Sequence, residues 1–112
     1  MTSPEDFAKK LDELWRKHLP LMRSRIETIH SALEAVRDNR LTPNLRAEAA
    51  QEAHKLAGSL GTFGHAGSDA AAEIQRLLSG NVALGSVELG RIQQLLKMLS
   101  QQTESRFPSR ST

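Results

Sequence analysis

The chain has no cysteine and no tyrosine, one tryptophan and three phenylalanines among 112 residues. Without cysteine there is no disulfide and no thiolate metal site, which fits a reducing, cytoplasmic setting. Aromatic residues make up 4%, so the stacking chemistry of nucleic-acid binding has little to work with. No run of about 18 apolar residues occurs, so no membrane-spanning helix is expected. The N-terminus also lacks the basic-then-apolar layout of a signal peptide. Charge of one sign is scarce too: the formal net charge is +2. Arg23, Arg25, Arg37, Arg40 and Arg46 alternate with Glu27, Glu34, Asp38 and Glu48, the pattern of a solvated helix face. Strand patterns are missing as well, because apolar and polar residues never alternate for long.

What remains is helix. A length of 112 residues suits one domain with one core. Ser3 can cap a first segment, with Pro4 in its first turn and Glu5 and Asp6 at the positive end of the dipole. Its apolar stripe is Phe7, Leu11, Leu14 and Trp15, and Pro20 is expected to close or kink it. Met22, Ile26, Ile29, Leu33 and Val36 repeat every three or four residues and mark a second segment, with Asn39 as terminator. Thr42 and Pro43 restart the chain, and Leu45, Ala49, Ala53, Leu56, Leu60 and Phe63 carry the third. A fourth starts at Ser68 or Asp69, with Ala70, Ile74, Leu77 and Leu78 inward, and stops at residues 79–81. A fifth starts near Ser86 and buries Leu89, Ile92, Leu96 and Leu99. The expected fold is all-α: an antiparallel four-helix bundle over residues 1–104 with an additional N-terminal capping helix. Residues 105–112 have no periodicity and read as a flexible tail or linker.

The stretch "AHKLAGSLGTFG" puts three glycines into a helical pattern, although glycine costs a helix interior about 1 kcal/mol relative to alanine. At 100° per residue, His54 lies beside the core stripe of Ala53, Leu56 and Leu60 and points outward. One turn away are Ala50, Gln51, Ala57 and Gly58; two turns away are Ala47 and Gly61. The surroundings are small, so a partner protein can approach an uncovered imidazole. A neutral imidazole offers a free ring nitrogen as nucleophile toward an activated phosphoryl group. Lys55 follows in sequence and could steady the charge, but its side chain leaves the helix about 100° away. Gly64 follows Phe63 and is expected to end the helix.

From these residues a resemblance emerges. "HKLAGSLGTFG" resembles the signature of histidine-containing phosphotransfer (HPt) domains of two-component phosphorelays. His54 stands at the phosphoacceptor position, Leu56 at the aliphatic one, Gly58 and Ser59 at the small pair, and Phe63 and Gly64 at the close. The resemblance extends over roughly residues 5–103. It implies a bundle with the histidine exposed midway along one helix, which takes a phosphoryl group from a receiver-domain aspartyl phosphate and hands it to another receiver. Such a domain is a phosphoryl carrier rather than a self-contained enzyme. It has no metal or cofactor of its own, the receiver supplying Mg²⁺. Its partners are a response-regulator receiver, a hybrid histidine kinase, or both. One position departs from the common pattern: Ala57 stands where many members have lysine, although the alanine form is a familiar variant. Ala50, Gln51, Ala57, Gly58 and Gly61 are the expected docking surface, and a monomer is expected because an oligomer covering His54 would stop the relay. The alternative is a helical docking module that binds receivers or kinases without being phosphorylated. His18, His30 and His65 read as structural, His18 at the dipole's negative end and His65 in a turn.

Overall fold

A computed structural model describes residues 3–80 and 83–104. They form four helices and no strand: α1 (Pro4–Arg37), α2 (Pro43–Thr62), α3 (Gly67–Ser79) and α4 (Ser86–Glu104). The segment 105–112 lies outside the described residues.

Local chemistry sets the helix ends. Ser3 Oγ accepts the Asp6 N–H and Thr42 Oγ1 the Leu45 N–H, both at 3.1 Å, and a proline follows each cap. Before α4, the Glu88 carboxylate reaches back to accept the Gly85 N–H at 3.0 Å. α1 ends at Asn39, whose φ of 55° lets Arg40 N–H reach Ala35 O (2.7 Å) and Asn39 N–H reach Val36 O (3.2 Å). α2 ends the same way at Gly64, with φ 68°, His65 N–H on Leu60 O (2.8 Å) and Gly64 N–H on Gly61 O (3.0 Å). Both are Schellman closures, which need a residue tolerant of the left-handed region. Ser68 does not cap α3. Its hydroxyl donates to Ala57 O on α2 at 2.9 Å, and α3 starts one residue earlier, at Gly67.

Cross-helix contacts give the topology. Trp15 of α1 meets Phe63 at the end of α2, and Arg46 of α2 donates to Leu78 O at the end of α3 at 2.8 Å. Arg91 of α4 forks onto Glu73 of α3, and Arg23 of α1 onto Glu104 of α4 at 2.5 and 2.6 Å. Each helix therefore runs antiparallel to its neighbours, and α4 packs back on α1. The two forks hold the Glu73 and Glu104 carboxyls below the usual carboxylate range. The core runs through Trp15, Met22, Ile29, Leu33, Ala53, Leu56, Leu60, Ile74, Ile92 and Leu99.

The separate N-terminal capping helix is replaced by the first half of α1. Trp15, Met22 and Ile29 recur every seven residues on one buried face, straight through Pro20. Pro20 itself is exposed, so the Arg16 carbonyl it leaves without a partner can take water instead. Phe7 and Leu14, expected in the core stripe, are 62% and 45% exposed, while Trp15 beside Leu14 is buried against Phe63 and His65. His18 is accordingly mid-helix rather than at a terminus, its ring edge-on to Phe63 at 5.8 Å.

His65 is buried beneath the α2–α3 turn and ties three elements together. Its ring stacks on Trp15 at 4.8 Å, Nδ1 accepts the Gly67 N–H at 2.7 Å, and Nε2 lies 3.3 Å from Gln102 O of α4. The neutral ring with its proton on Nε2 satisfies both contacts. Burial pushes its pKa down, against a smaller upward pull from the Gln102 carbonyl. Above the unfolded-chain value near 6.5 both states are neutral and the shift contributes nothing. Below it, the unfolded chain takes up a proton that the native ring resists, so stability falls as pH drops. The urea midpoint, followed by the fluorescence of Trp15, should decline from pH 7 to pH 5 as the unfolded chain takes up this proton. His65→Gln should flatten that slope; an unchanged slope would assign the acid sensitivity to another group.

Candidate functional site

α2 presents the site because two of its faces carry different tasks. Ala49, Ala53, Leu56 and Leu60 are fully buried and fix its rotation. His54 then emerges one step round the helix, exposed, on the side toward α3. There its Nδ1 lies 3.3 Å from Gln75 Oε1 of α3. With Nδ1 donating to that oxygen, the ring's other nitrogen, Nε2, keeps its lone pair for chemistry. The imidazole stands in a shallow recess lined by Ala50, Gln51, Gln75 and Ser79. No charged side chain is among those lining residues.

The expected docking residues divide. Gln51 and Gly58 are exposed, and a Cβ added at Gly58 would meet no atom within 4 Å. That position is open, as the spacing requires for an approaching partner. Ala50 and Ala57 are partly buried against the core and form floor rather than surface. Gly61 serves the fold as well, since a Cβ there would sit 3.3 Å from the Ser68 hydroxyl at the start of α3. Beyond Ala50 and Ser79 the recess continues into a second hollow lined by Leu41, Pro43, Ala47 and Leu78.

Lys55 is not brought to His54. Its Nζ lies 3.7 Å from Glu52 Oε2, an oxygen that Arg25 Nε of α1 approaches at 3.8 Å. Both separations are ion-pair distances longer than hydrogen bonds, in agreement with an oxygen that has no hydrogen-bond partner. Arg25 also donates to Ser59 Oγ at 3.1 Å. Glu52 and Ser59 thus engage Arg25 of α1, Lys55 pairs with Glu52 within α2, and His54 engages α3.

Gln75 and Ser79 are the site residues that sequence reasoning missed. Both come from α3, 21 residues or more from His54, and only antiparallel packing brings them near. The one available signal was Gln75 itself, a polar residue between Ala71 and Leu78 on the face of α3 that packs on α2. A larger groove between α1 and α4, floored by Ile26, Leu33 and Leu96, lies across the bundle from His54. Among the described residues, no three or more His, Cys, Asp or Glu side chains gather as a metal site. No helix among them is long and apolar enough to cross a membrane.

The bundle and its exposed helical histidine define a class. The chain matches the Hpt domain family over residues 7–102 and belongs to it, a family whose work is phosphotransfer in two-component phosphorelays. No curated protein and no solved structure gives a significant match.

Proposed function

We propose that this domain is a phosphorelay intermediate that takes a phosphoryl group on His54 from the aspartyl phosphate of a receiver domain and passes it to another receiver. The observation that carries this reading is the state of His54: exposed, anchored at Nδ1 by Gln75, and bordered by open space at Gly58. In the accepting step the Nε2 lone pair forms an N–P bond while the acyl-phosphate P–O bond breaks. The aspartate carboxylate leaves with its electron pair, and the imidazole proton stays on Nδ1 against the Gln75 oxygen. Transfer of this kind depends on positioning and on neutralising the phosphoryl charge.

The recess lining supplies no cation of its own, so neutralisation falls to the partner. A receiver with its acidic pocket and Mg²⁺ meets that need, and no metal or nucleotide has to be held by this chain. Lys55 is the nearest basic residue in sequence; it would have to leave Glu52 to reach the phosphoryl group. The relay reading places the domain in the cytoplasm, alongside receivers and the kinases that feed them.

The test is incubation of the domain with a phosphorylated receiver. A phosphoryl label that is acid-labile and base-stable, as phosphohistidine is, supports the relay. No label on a domain that still binds the receiver would leave the docking module in its place. Gly58→Leu probes the geometry separately. Leucine favours helix over glycine by most of 1 kcal/mol and meets no neighbour at that Cβ, so the fold should hold or gain. Transfer should nonetheless drop at least tenfold, because the larger side chain stands one turn from His54 in the partner's path. An unchanged transfer rate would refute the clearance argument.

A further inference from the structure

The groove between α1 and α4 has its head at the end of α4. The Arg23–Glu104 fork stands there, and Ile26, Glu27 and Gln101 line the next turn inward. At 100° per residue, Ile26, Glu27, His30 and Glu34 lie within about 60° of Arg23 round α1. Lys97, Ser100 and Gln101 lie within about 60° of Glu104 round α4. A chain leaving α4 at Glu104 therefore emerges beside this groove. The exposed Leu14 and Leu21 are about 180° and 200° from Arg23, on the other side of α1.

The sequence that follows, SRFPSRST, suits the groove in stop signal, length and charge. Pro108 has no N–H to give the Glu104 carbonyl, and a residue before proline is biased toward extended backbone. The eight residues 105–112 reach at most about 26–29 Å when extended. The groove from Ile26 to Arg37 is shorter, about 17 Å by helical rise. The segment carries Arg106 and Arg110 and no acid. On the α1 rim Glu27 and Glu34 share one side, about 10.5 Å apart; four extended residues span about 13 Å. Glu27 is exposed with no ion-pair partner among the described residues, and Glu34 pairs with His30 at 3.0 Å. Of the rim's cations, Lys97 stands on α4 and Arg37 at the end far from the fork. Glu27 is therefore the first charge an entering segment meets. Between the two arginines, Phe107 falls over the apolar floor of Ile26, Leu33 and Leu96, and a groove of about 500 Å³ admits its ring.

We infer that residues 105–112 turn back at Glu104 and lie along the α1–α4 groove, with Phe107 on its apolar floor and Arg106 and Arg110 against Glu27 and Glu34. The segment then straps α4 to α1 on the side of the bundle away from His54, so the recess stays open to a partner. The inference does not depend on the phosphorelay reading. Ion pairs at an exposed rim are screened by salt, so the docked fraction falls as ionic strength rises.

The test is methyl NMR on the whole chain, because an aromatic ring displaces the resonances of methyl groups beneath it. Phe107→Ser should move the methyls of Ile26, Leu33 and Leu96 and leave those of Leu14, Leu21 and Leu56 in place. Glu27→Lys, at an exposed position, should carry the same three at least half way toward their Phe107→Ser positions. It should add little in the Phe107→Ser background. Circular dichroism checks that both variants keep their helix. Wild-type positions should be the same at micromolar and near-millimolar concentration, as a contact within one chain requires. Groove methyls that ignore Phe107→Ser overturn the inference, as do methyls that ignore Glu27→Lys. Shifts that appear only at high concentration would assign Phe107 to a second copy and overturn it as well.

Discussion

Replacing His54 by glutamine should abolish phosphoryl labelling by a phosphorylated receiver while leaving the helical circular dichroism unchanged. Glutamine has no ring nitrogen to form an N–P bond, and no other histidine can substitute for His54. His65 is buried and committed at both nitrogens to Gly67 and Gln102. His18 leans on Phe63, and His30 pairs with Glu34 at 3.0 Å on the far edge of α1. The fold should be indifferent, since exposed substitutions away from special features move stability by no more than about 0.5 kcal/mol. The loss should therefore be total in transfer and negligible in unfolding midpoint. Label retained on the His54→Gln protein would place the acceptor elsewhere; label lost together with helicity would report unfolding and not chemistry.

The opposite result is expected two residues on. Leu56 is fully buried on the face of α2 that fixes how His54 is presented. Leu56→Ala should cost roughly 2–5 kcal/mol, the lost burial plus the cavity left behind. For a domain near 100 residues each kcal/mol lowers the melting temperature by about 4–8 °C, so a drop of roughly 10 °C or more is expected. Trp15, the single tryptophan, packs against Phe63 and His65 and reports the transition by fluorescence. Below that melting temperature the variant should still accept phosphate. A midpoint unchanged by Leu56→Ala would mean the rotation of α2 is wrong, and with it the exposure of His54.

These two residues mark how much of the site could be read from the chain. Leu56 and His54 are assigned to inside and outside by a 100° step, and both assignments agree with the fold. The caps at Ser3 and Thr42 and the stops at Asn39 and Gly64 were legible for the same reason. Each rests on hydrogen bonds between residues two to five apart, or on the φ one residue can adopt. The family signature lies within one helix and its closing turn, so it too was visible without knowledge of any neighbour.

Other features depended on what packs where. Pro20 looked like a boundary because a proline removes a local hydrogen bond, but the buried stripe on both sides kept α1 continuous. Phe7 and Leu14 are as apolar as Trp15, and periodicity cannot tell which of them has a neighbouring helix to meet. His65 sat in a turn by sequence, and only the meeting of α1, α4 and the α2–α3 turn buries it. Gln75 joined the site through the antiparallel register of α2 with α3. By itself the sequence determined the amphipathic helical stripes, the caps at Ser3 and Thr42, the stops at Asn39 and Gly64 and the outward imidazole, because those follow from interactions within a turn or two of helix. Which nitrogen of His54 lies against Gln75, and that His65 is buried against Trp15 and Gln102, were decided by tertiary structure. They depend on contacts between residues far apart in the chain, and only packing sets those.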